Sequence, residues 1–489
     1  VGIMMLTAAP VSYLMGDPKH VQMKLLESSL IPLIVGTLGI LLVKKTTQIR
    51  YREGFAIVTF SWLSASIFGA IPFYWVSDLA WYDAFFETMS GFTTTGASIL
   101  TDIEGESKGI LFWRSMTHWL GGMGIVVLSL AIMPILGIGG MQLYKAEAPG
   151  PTSDQLTPRI ASTAKMLWGV YVLLTVVETG LLMLPIGGDG MSLYEAWCHT
   201  AGTLATGGFS TRNGSVAAFN SAYIEWVIIV FMFLAGTNFV LHLRALTGKP
   251  LAFWKDEEFR FYFFVVLFSV ITISIGLTMI SHYDSILTTL RHSAFSVVAI
   301  MTTTGFCTED FDLWPIYAKV LLVCLMFVGG CGGSTGGGMK VSRVLLLIKH
   351  GLVQLQRNLY PRSVTNVRLD NNRVSEMIMS RVLGFLFIYV AIFIVLTLMV
   401  CVVEPDLIKS HEPHEADVHA IERRGVETAA TSVAATLCNI GPGLAKVGPT
   451  QNFAWFAPIT KILLSFAMLI GRLEVFTVLV LFLPSFWRR

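Results

Sequence analysis

The chain has 489 residues, 54% of them hydrophobic and 13% charged, with a formal net charge of +2 and a mean hydropathy of +0.66. A soluble protein of this length carries roughly 25% charged residues, so the composition excludes a soluble globular chain and points to an integral membrane protein with many crossings. The small net charge says little about partners, and no nucleic-acid binding is expected. The cysteines form no CxxC or CxxH pair, which reads as buried small apolar residues rather than a metal site or disulfide framework.

Apolar runs long enough to cross a bilayer, or nearly so, lie at 1–14, 30–43, 55–76, 110–136, 166–186, 224–243, 261–280, 316–348, 382–403 and 456–483. The first residue is Val and no basic region precedes the first run, which reads as a trimmed N-terminus without a cleavable signal peptide. Connections on one side are basic: KKTTQIRYR at 44–52, LRALTGKP at 243–250, the stretch 349–373, and FWRR at the C-terminus. Those on the other side are acidic: TDIEGES, TEDFD, EPD and HEPHEAD. The positive-inside rule therefore places both termini and the basic loops in the cytoplasm, which requires an even number of crossings. The acidic loops could concentrate cations at an outer mouth or simply form a solvated face.

A repeat is written into the outer connections. Tyr82 opens DAFFETMSGFTTTGAS and Tyr194 opens EAWCHTAGTLATGGFS, and starting both at Tyr brings Thr88 onto Thr200, Thr94 onto Thr206, Gly96 onto Gly208 and Ser98 onto Ser210 without a gap. HSAFSVVAIMTTTGFC puts Gly305 at the same point, and TAATSVAATLCNIGPG puts Gly441 there, with Asn439 and Ile440 in place of Thr94 and Thr95. Each unit is a span, a segment of about a dozen residues that is too short to cross, a Gly-containing turn and another span. Such a segment reads as a re-entrant half-helix, tolerated at membrane depth only where it is buried in protein or lines a wet cavity. Arranged around an axis, the half-helices would point their negative ends at a cation, and carbonyls of the Thr/Gly turns could replace its hydration shell. One T-T-G alone is usually just a turn; the recurrence in register carries the reading.

The eighth run, 316–348, contains another departure. Seven of the ten residues from Gly329 to Gly338 are Gly, and each Gly costs roughly 1 kcal/mol in a helix interior, so 316–348 cannot be one continuous helix. The run is not a phosphate-binding loop, because Met339 separates Lys340 from the last Gly and Val341 follows where Ser or Thr is required. Close packing through small residues needs only one or two glycines, so a broken helix with a flexible loop below the turns fits better. Arg472 and Glu474 lie deep in the last span. An Arg there costs at least about 2.5–3.5 kcal/mol unless it meets water or a partner. Positions two apart point different ways on a helix, which disfavours their pairing, and Arg472 is expected to face the conduction path near the glycine loop. Glu87 either orients a turn or bonds local backbone, His118 reads as a packed, satisfied histidine, and Lys461 as a helix-end residue.

TTTGAS, ATGGFS, TTTGFC and NIGPG, together with GGCGGSTGGGMK and LIGRLEVF, resemble the Trk/Ktr/HKT superfamily of potassium transport proteins, most closely the TrkH/TrkG type of pore subunit of bacterial Trk systems. The resemblance covers nearly the whole chain. It implies an all-α integral membrane fold with four M1–pore helix–M2 repeats in pseudo-fourfold arrangement around one central pore. The expected limits are an N-terminal transmembrane helix pair at 1–50 and repeats at 51–145, 146–250, 251–360 and 361–489.

It implies further that Gly96, Gly208, Gly305 and Gly441 are filter glycines. The filter would then comprise the backbone carbonyls of Thr94, Thr95, Gly96, Thr206, Gly207, Gly208, Thr303, Thr304, Gly305, Asn439, Ile440 and Gly441, with potassium as the ion. Gly rather than Ser at position 96 implies preference for potassium over sodium, although the absence of a full T-V-G-Y-G implies a shorter filter and modest discrimination. The glycine run becomes an intramembrane gate of Gly329, Gly330, Gly332, Gly333, Ser334, Thr335, Gly336, Gly337 and Gly338, with Arg472 beside it. The resemblance also implies a homodimer and a cytosolic nucleotide-binding ring of the TrkA type, in a bacterial inner membrane.

The reading is therefore potassium uptake through a gated pore, with no covalent cofactor and nucleotide expected only on a partner. Potassium–proton or potassium–sodium symport and the pore subunit of an ATP-driven pump are the alternatives. No residue pattern identifies a coupled ion site. A membrane enzyme would need converging catalytic residues in the spans or a cytoplasmic domain, and no loop is long enough for one.

Overall fold

The computed structural model describes residues 1–42, 51–136, 156–186, 188, 190–362, 365–404 and 418–488. The basic stretch 44–50, the acidic stretch 405–417 and the expected repeat limit at 145/146 lie outside these residues. Among the described residues the architecture is helical, and one two-stranded hairpin, Arg368–Leu369 against Asn372–Arg373, is the sole sheet.

After a helical entry (Gly2–Met5, Ala8–Leu14 and the long Lys19–Leu42), one three-helix unit recurs four times. The outer helices are Tyr51–Gly69 continued by Ile71–Val76, then Leu156–Leu182, Glu257–Met279 and Glu376–Val403. The pore helices are Trp81–Phe92, Leu193–Leu204, Ile286–Met301 and Val418–Leu437. The inner helices are Lys108–Leu136, Ala222–Ala235 with Phe239–Leu246, Ile316–Met326 with Val341–Leu359, and Pro458–Arg472 with Phe476–Leu479.

Polarity is sorted in the reverse of a soluble fold. The first pore helix is buried at every position from Ala84 to Phe92, including Glu87, Thr88 and Ser90. The outer helix Glu376–Val403 instead leaves Phe387 75% and Val402 80% exposed, the apolar surface a lipid-facing helix presents. Local chemistry starts the helices. Ser192 accepts from the Glu195 amide while donating to its carboxylate, a side-chain N-cap at the head of the second pore helix. Asp256 caps Phe259 at 2.8 Å at the start of the third outer helix.

Several expected spans are corrected. Five described helices are long and apolar enough to cross, or seven when each of two bent pairs counts as one span. The run 1–14 is two short helices, neither long enough to cross. The run 224–243 bends by 101°, because Asn238 caps the Val240 amide at 2.9 Å and starts a new helix. The run 456–483 bends by 112°, where Glu474 and Val475 take φ values of 59° and 45° that no helix continues through. The third and fourth pore helices, at 16 and 20 residues, exceed the expected dozen.

The repeats are joined by buried charge. Lys461, near the start of the fourth inner helix, donates to Asp83 of the first pore helix at 2.6 Å. Arg291 of the third pore helix pairs with Glu225 of the second inner helix at 2.8 Å. Each pair has one buried and one half-buried partner, and together they join the first repeat to the fourth and the second to the third.

Candidate cation pathway

The C-terminal ends of the four pore helices share one backbone geometry. The amide of Thr95 reaches back to the Ser90 carbonyl at 2.9 Å, and those of Gly207, Thr304 and Ile440 make the same bond to Gly202, Ala299 and Ala435 at 2.8 Å each. One residue earlier, Thr94, Thr206, Thr303 and Asn439 have φ of 50°, 55°, 63° and 56°. One residue later, Gly96, Gly208, Gly305 and Gly441 have φ of 83°, 77°, 77° and 101°. Left-handed residues thus flank a residue of ordinary φ, which turns successive carbonyls toward one side. The tolerance of Asn for this region explains how NIG replaces TTG in the fourth repeat.

These turns close on one another. A Cβ on Gly96 would lie 2.1 Å from the Gly207 carbonyl oxygen, one on Gly208 2.0 Å from that of Thr304, one on Gly305 1.9 Å from that of Ile440, and one on Gly441 2.8 Å from that of Thr95. Each contact runs from one repeat to the next, and the last returns to the first. The ring brings together all twelve residues the sequence singles out as filter positions.

Below the ring lies the glycine loop, between the helices Ile316–Met326 and Val341–Leu359. Its backbone amides are satisfied by neighbours from several repeats. Cys331 donates to the Gly236 carbonyl at 2.9 Å, Gly332 to Glu258 at 2.7 Å, and Gly337 to the Thr303 hydroxyl oxygen at 2.6 Å. Backbone approaches within the van der Waals limit of a side chain explain the composition: a Cβ on Gly337 would sit 2.7 Å from the Cys438 carbonyl oxygen, and one on Gly329 2.1 Å from that of Gly337. Arg472, 2% exposed, donates to the Thr335 carbonyl at 2.7 Å and to that of Gly121 at 3.3 Å. It does not pair with Glu474, which accepts from Arg343.

Two features escaped the sequence reading, and an open one is resolved. Lys340 turns back to donate to the Gly336 carbonyl, so two cationic side chains cap adjacent loop carbonyls. Glu258 holds both shoulders of the loop, accepting from Gly332 and from Ser342 at 2.9 Å. Glu87 takes the orienting role: it accepts from the Ile99 amide at 2.9 Å and from Ser98, and its charge is met by Arg114 at 2.6 Å. Only the position of Lys340 against the glycines and of Glu258 in a helix first turn hinted at them. His118 is packed but not satisfied: neither ring nitrogen makes a well-directed hydrogen bond, although the Ser90 carbonyl is near.

Two stretches, 105–109 and 332–336, happen to fit the G-x-S-x-G spacing of a nucleophile elbow. Ser334 donates to the Cys331 carbonyl at 2.7 Å, so the second stretch is a turn of the loop. No group of three or more His, Cys, Asp or Glu residues able to hold a metal occurs among the described residues.

Four re-entrant helices converging on a closed ring of backbone carbonyls, inside a shell of apolar helices, define a membrane pore protein assembled from repeats within one chain. The family model described as TrkH, cation transport protein, matches residues 22–489, and the chain belongs to that family. It is 45% identical over 447 residues to the Trk system potassium uptake protein TrkH of Salmonella typhimurium, covering 90% of this chain and 87% of the relative. It is 34% identical over 452 residues to TrkG of Escherichia coli K12, covering 91% and 87%. The crystal structure of the potassium transporter TrkH from Vibrio parahaemolyticus superposes with a TM-score of 0.87 at 35% identity, covering 100% of this chain and 96% of that one.

Proposed function

We propose that this protein mediates potassium uptake across a membrane through a gated pore, with the ring of turns as its filter and the glycine loop as its gate. The closure of four in-register carbonyl turns on one another is the observation that carries this reading. The carbonyls of Thr94 to Gly96 and of their three equivalents supply oxygens without net charge, which suits a dehydrated monovalent cation better than a divalent one. The pore helices add the negative ends of their dipoles.

The gate acts by lying against the foot of the ring. Gly337 donates its amide to the Thr303 hydroxyl oxygen at the foot of the ring. Arg472 sits beside the same loop and adds a positive charge to the path. Opening requires the loop to leave Thr303, Gly236, Glu258 and Arg472. Glu258→Ala removes the acceptor shared by the Gly332 loop amide and the Ser342 amide just beyond the loop, and at about 1–2 kcal/mol it raises basal flux of a rubidium tracer about 5- to 30-fold. Flux equal to wild type would mean that this anchor does not restrain the loop.

The regulatory reading follows from the basic segment 349–373, beyond the buried Lys340 and Arg343, which would offer a docking face for a cytosolic nucleotide-binding ring of the TrkA type on a homodimeric pore subunit. Both termini would then lie in the cytoplasm of a bacterial cell, with the chain in its inner membrane. The relatives' names, potassium uptake proteins of the Trk system, support potassium as the ion.

The deciding experiment is tracer potassium uptake into proteoliposomes of the purified chain, with sodium and rubidium as competitors. Uptake driven by a potassium gradient and inhibited by rubidium more strongly than by sodium is expected. Uptake that sodium inhibits as strongly as rubidium would overturn the filter assignment.

A further inference from the structure

The four filter strands are braced differently, and the second is the exception. In the first and third repeats the residue before the filter glycine is a threonine whose hydroxyl pairs with one two residues earlier: Thr95 with Thr93 at 2.8 Å, and Thr304 with Thr302 at 2.7 Å. Each pair ties the strand to the end of its own pore helix. In the fourth repeat Ile440 fills the position, and Asn439 beside it donates to Thr95 and to the Met468 carbonyl, both at 2.9 Å. The second repeat has Ala205 and Gly207 at these positions, so it has no hydroxyl pair and no side chain immediately before its filter glycine.

Another residue fills that space. A Cβ on Gly207 would lie 2.5 Å from His118 Nδ1 and 2.6 Å from both Cε1 and Cγ. Three ring atoms at nearly one distance mean that the imidazole lies flat against the Gly207 backbone. His118 belongs to the first inner helix and is fully buried. Its ring stacks on Phe209, two residues along the same strand, with centroids 4.0 Å apart and planes 17° apart. One helical turn earlier, Arg114 places its guanidinium 3.5 Å from the Phe209 centroid and donates to the Ser210 carbonyl at 2.9 Å. Positions four apart share a helix face, so Arg114 and His118 together grip Phe209 and cover the strand from Gly207 to Ser210.

We infer that His118 is a positioning residue for ion selectivity: its ring takes the place of the missing threonine side chain and holds the second filter strand in register through Gly207. The inference rests on the filter reading above. Its physical basis is that Gly207 has no Cβ of its own to restrict its backbone, while its carbonyl oxygen is the one packed against Gly96. Without the ring, the peptide can rotate away from the axis and the carbonyl ring loses its shape, whereas the pore itself stays open to ions. The interaction is one of shape, so an aromatic ring is required and the imidazole nitrogens are not.

The test compares sodium competition against tracer potassium uptake in proteoliposomes for wild type, His118→Ala, His118→Phe, and a triple variant, His118→Ala with Ala205→Thr and Gly207→Thr. The triple variant rebuilds the threonine pair of the first and third repeats in the vacated space. His118→Ala is expected to reduce potassium-over-sodium preference about tenfold, the effect of about 1.4 kcal/mol on a ratio, while uptake persists. His118→Phe retains the preference and the triple variant recovers it. Gly207→Thr alone, with the ring still in place, loses uptake. Wild-type preference in His118→Ala overturns the inference, as does a folded triple variant with the selectivity of His118→Ala. Wild type without any potassium preference would instead defeat the filter reading itself.

Discussion

Arg472→Ala is expected to raise basal potassium flux about 10- to 100-fold, because a hydrogen bond from a charged donor contributes roughly 1.5–3 kcal/mol. Nη1 of Arg472 holds the Thr335 carbonyl of the glycine loop at 2.7 Å, and Nη2 reaches Gly121 on the first inner helix at 3.3 Å. The residue therefore ties the glycine loop to two inner helices, its own and the first. Its removal frees a loop carbonyl and withdraws a positive charge from the pathway. Both changes favour cation passage. Arg472→Lys retains the charge but cannot span both carbonyls, and its flux should fall between the two. The measurement is rubidium tracer efflux from preloaded proteoliposomes, normalised to folded protein. Flux unchanged or lowered in well-folded Arg472→Ala would sink the assignment of this residue to the gate.

The parts legible in the sequence were those that geometry forces onto residue type. A left-handed turn against a neighbour's carbonyl accepts glycine and little else, so Gly96, Gly208, Gly305 and Gly441 stand in register and reveal the repeat. Gly329 to Gly338 announces a broken helix for the same reason. What the sequence hides are contacts between distant segments. Glu258 meets Gly332 and Ser342, and Asp83 meets Lys461, across separations that leave no periodic trace. The bends at 236–238 and 473–475 were signalled only locally, by Gly236 and Asn238 as helix stop and cap and by Arg472 and Glu474 interrupting an apolar run. The fourth repeat looked most divergent, yet its backbone matches the others because Asn439 tolerates the same φ. In the second, the absence of a threonine at 207 acquires meaning only when His118 is found against it.

Alanine at the ring glycines should act in an order set by the neighbouring carbonyls. Gly305→Ala places its Cβ 1.9 Å from the Ile440 oxygen, Gly208→Ala 2.0 Å from that of Thr304, and Gly96→Ala 2.1 Å from that of Gly207. No side-chain rotation relieves these contacts, since both partners are backbone. Adopting the left-handed region adds about 1–2 kcal/mol for a residue with a Cβ. The strand must therefore move by a substantial part of an ångström, and a selective ring cannot survive that shift. These three variants are expected to lose at least 90% of potassium uptake, or nearly all preference over sodium, at roughly the 1.4 kcal/mol that a tenfold change represents. Gly441→Ala meets the Thr95 oxygen at 2.8 Å, so it retains the most function of the four. Gly96→Ser shares the clash of Gly96→Ala and should lose selectivity alongside it. Tracer uptake with sodium competition, on protein shown to be folded by its elution in detergent, reads the whole series. The ranking is the decisive feature: if Gly441→Ala proves the most damaging and Gly305→Ala the mildest, the closed ring of carbonyl contacts is not what shapes the ion path.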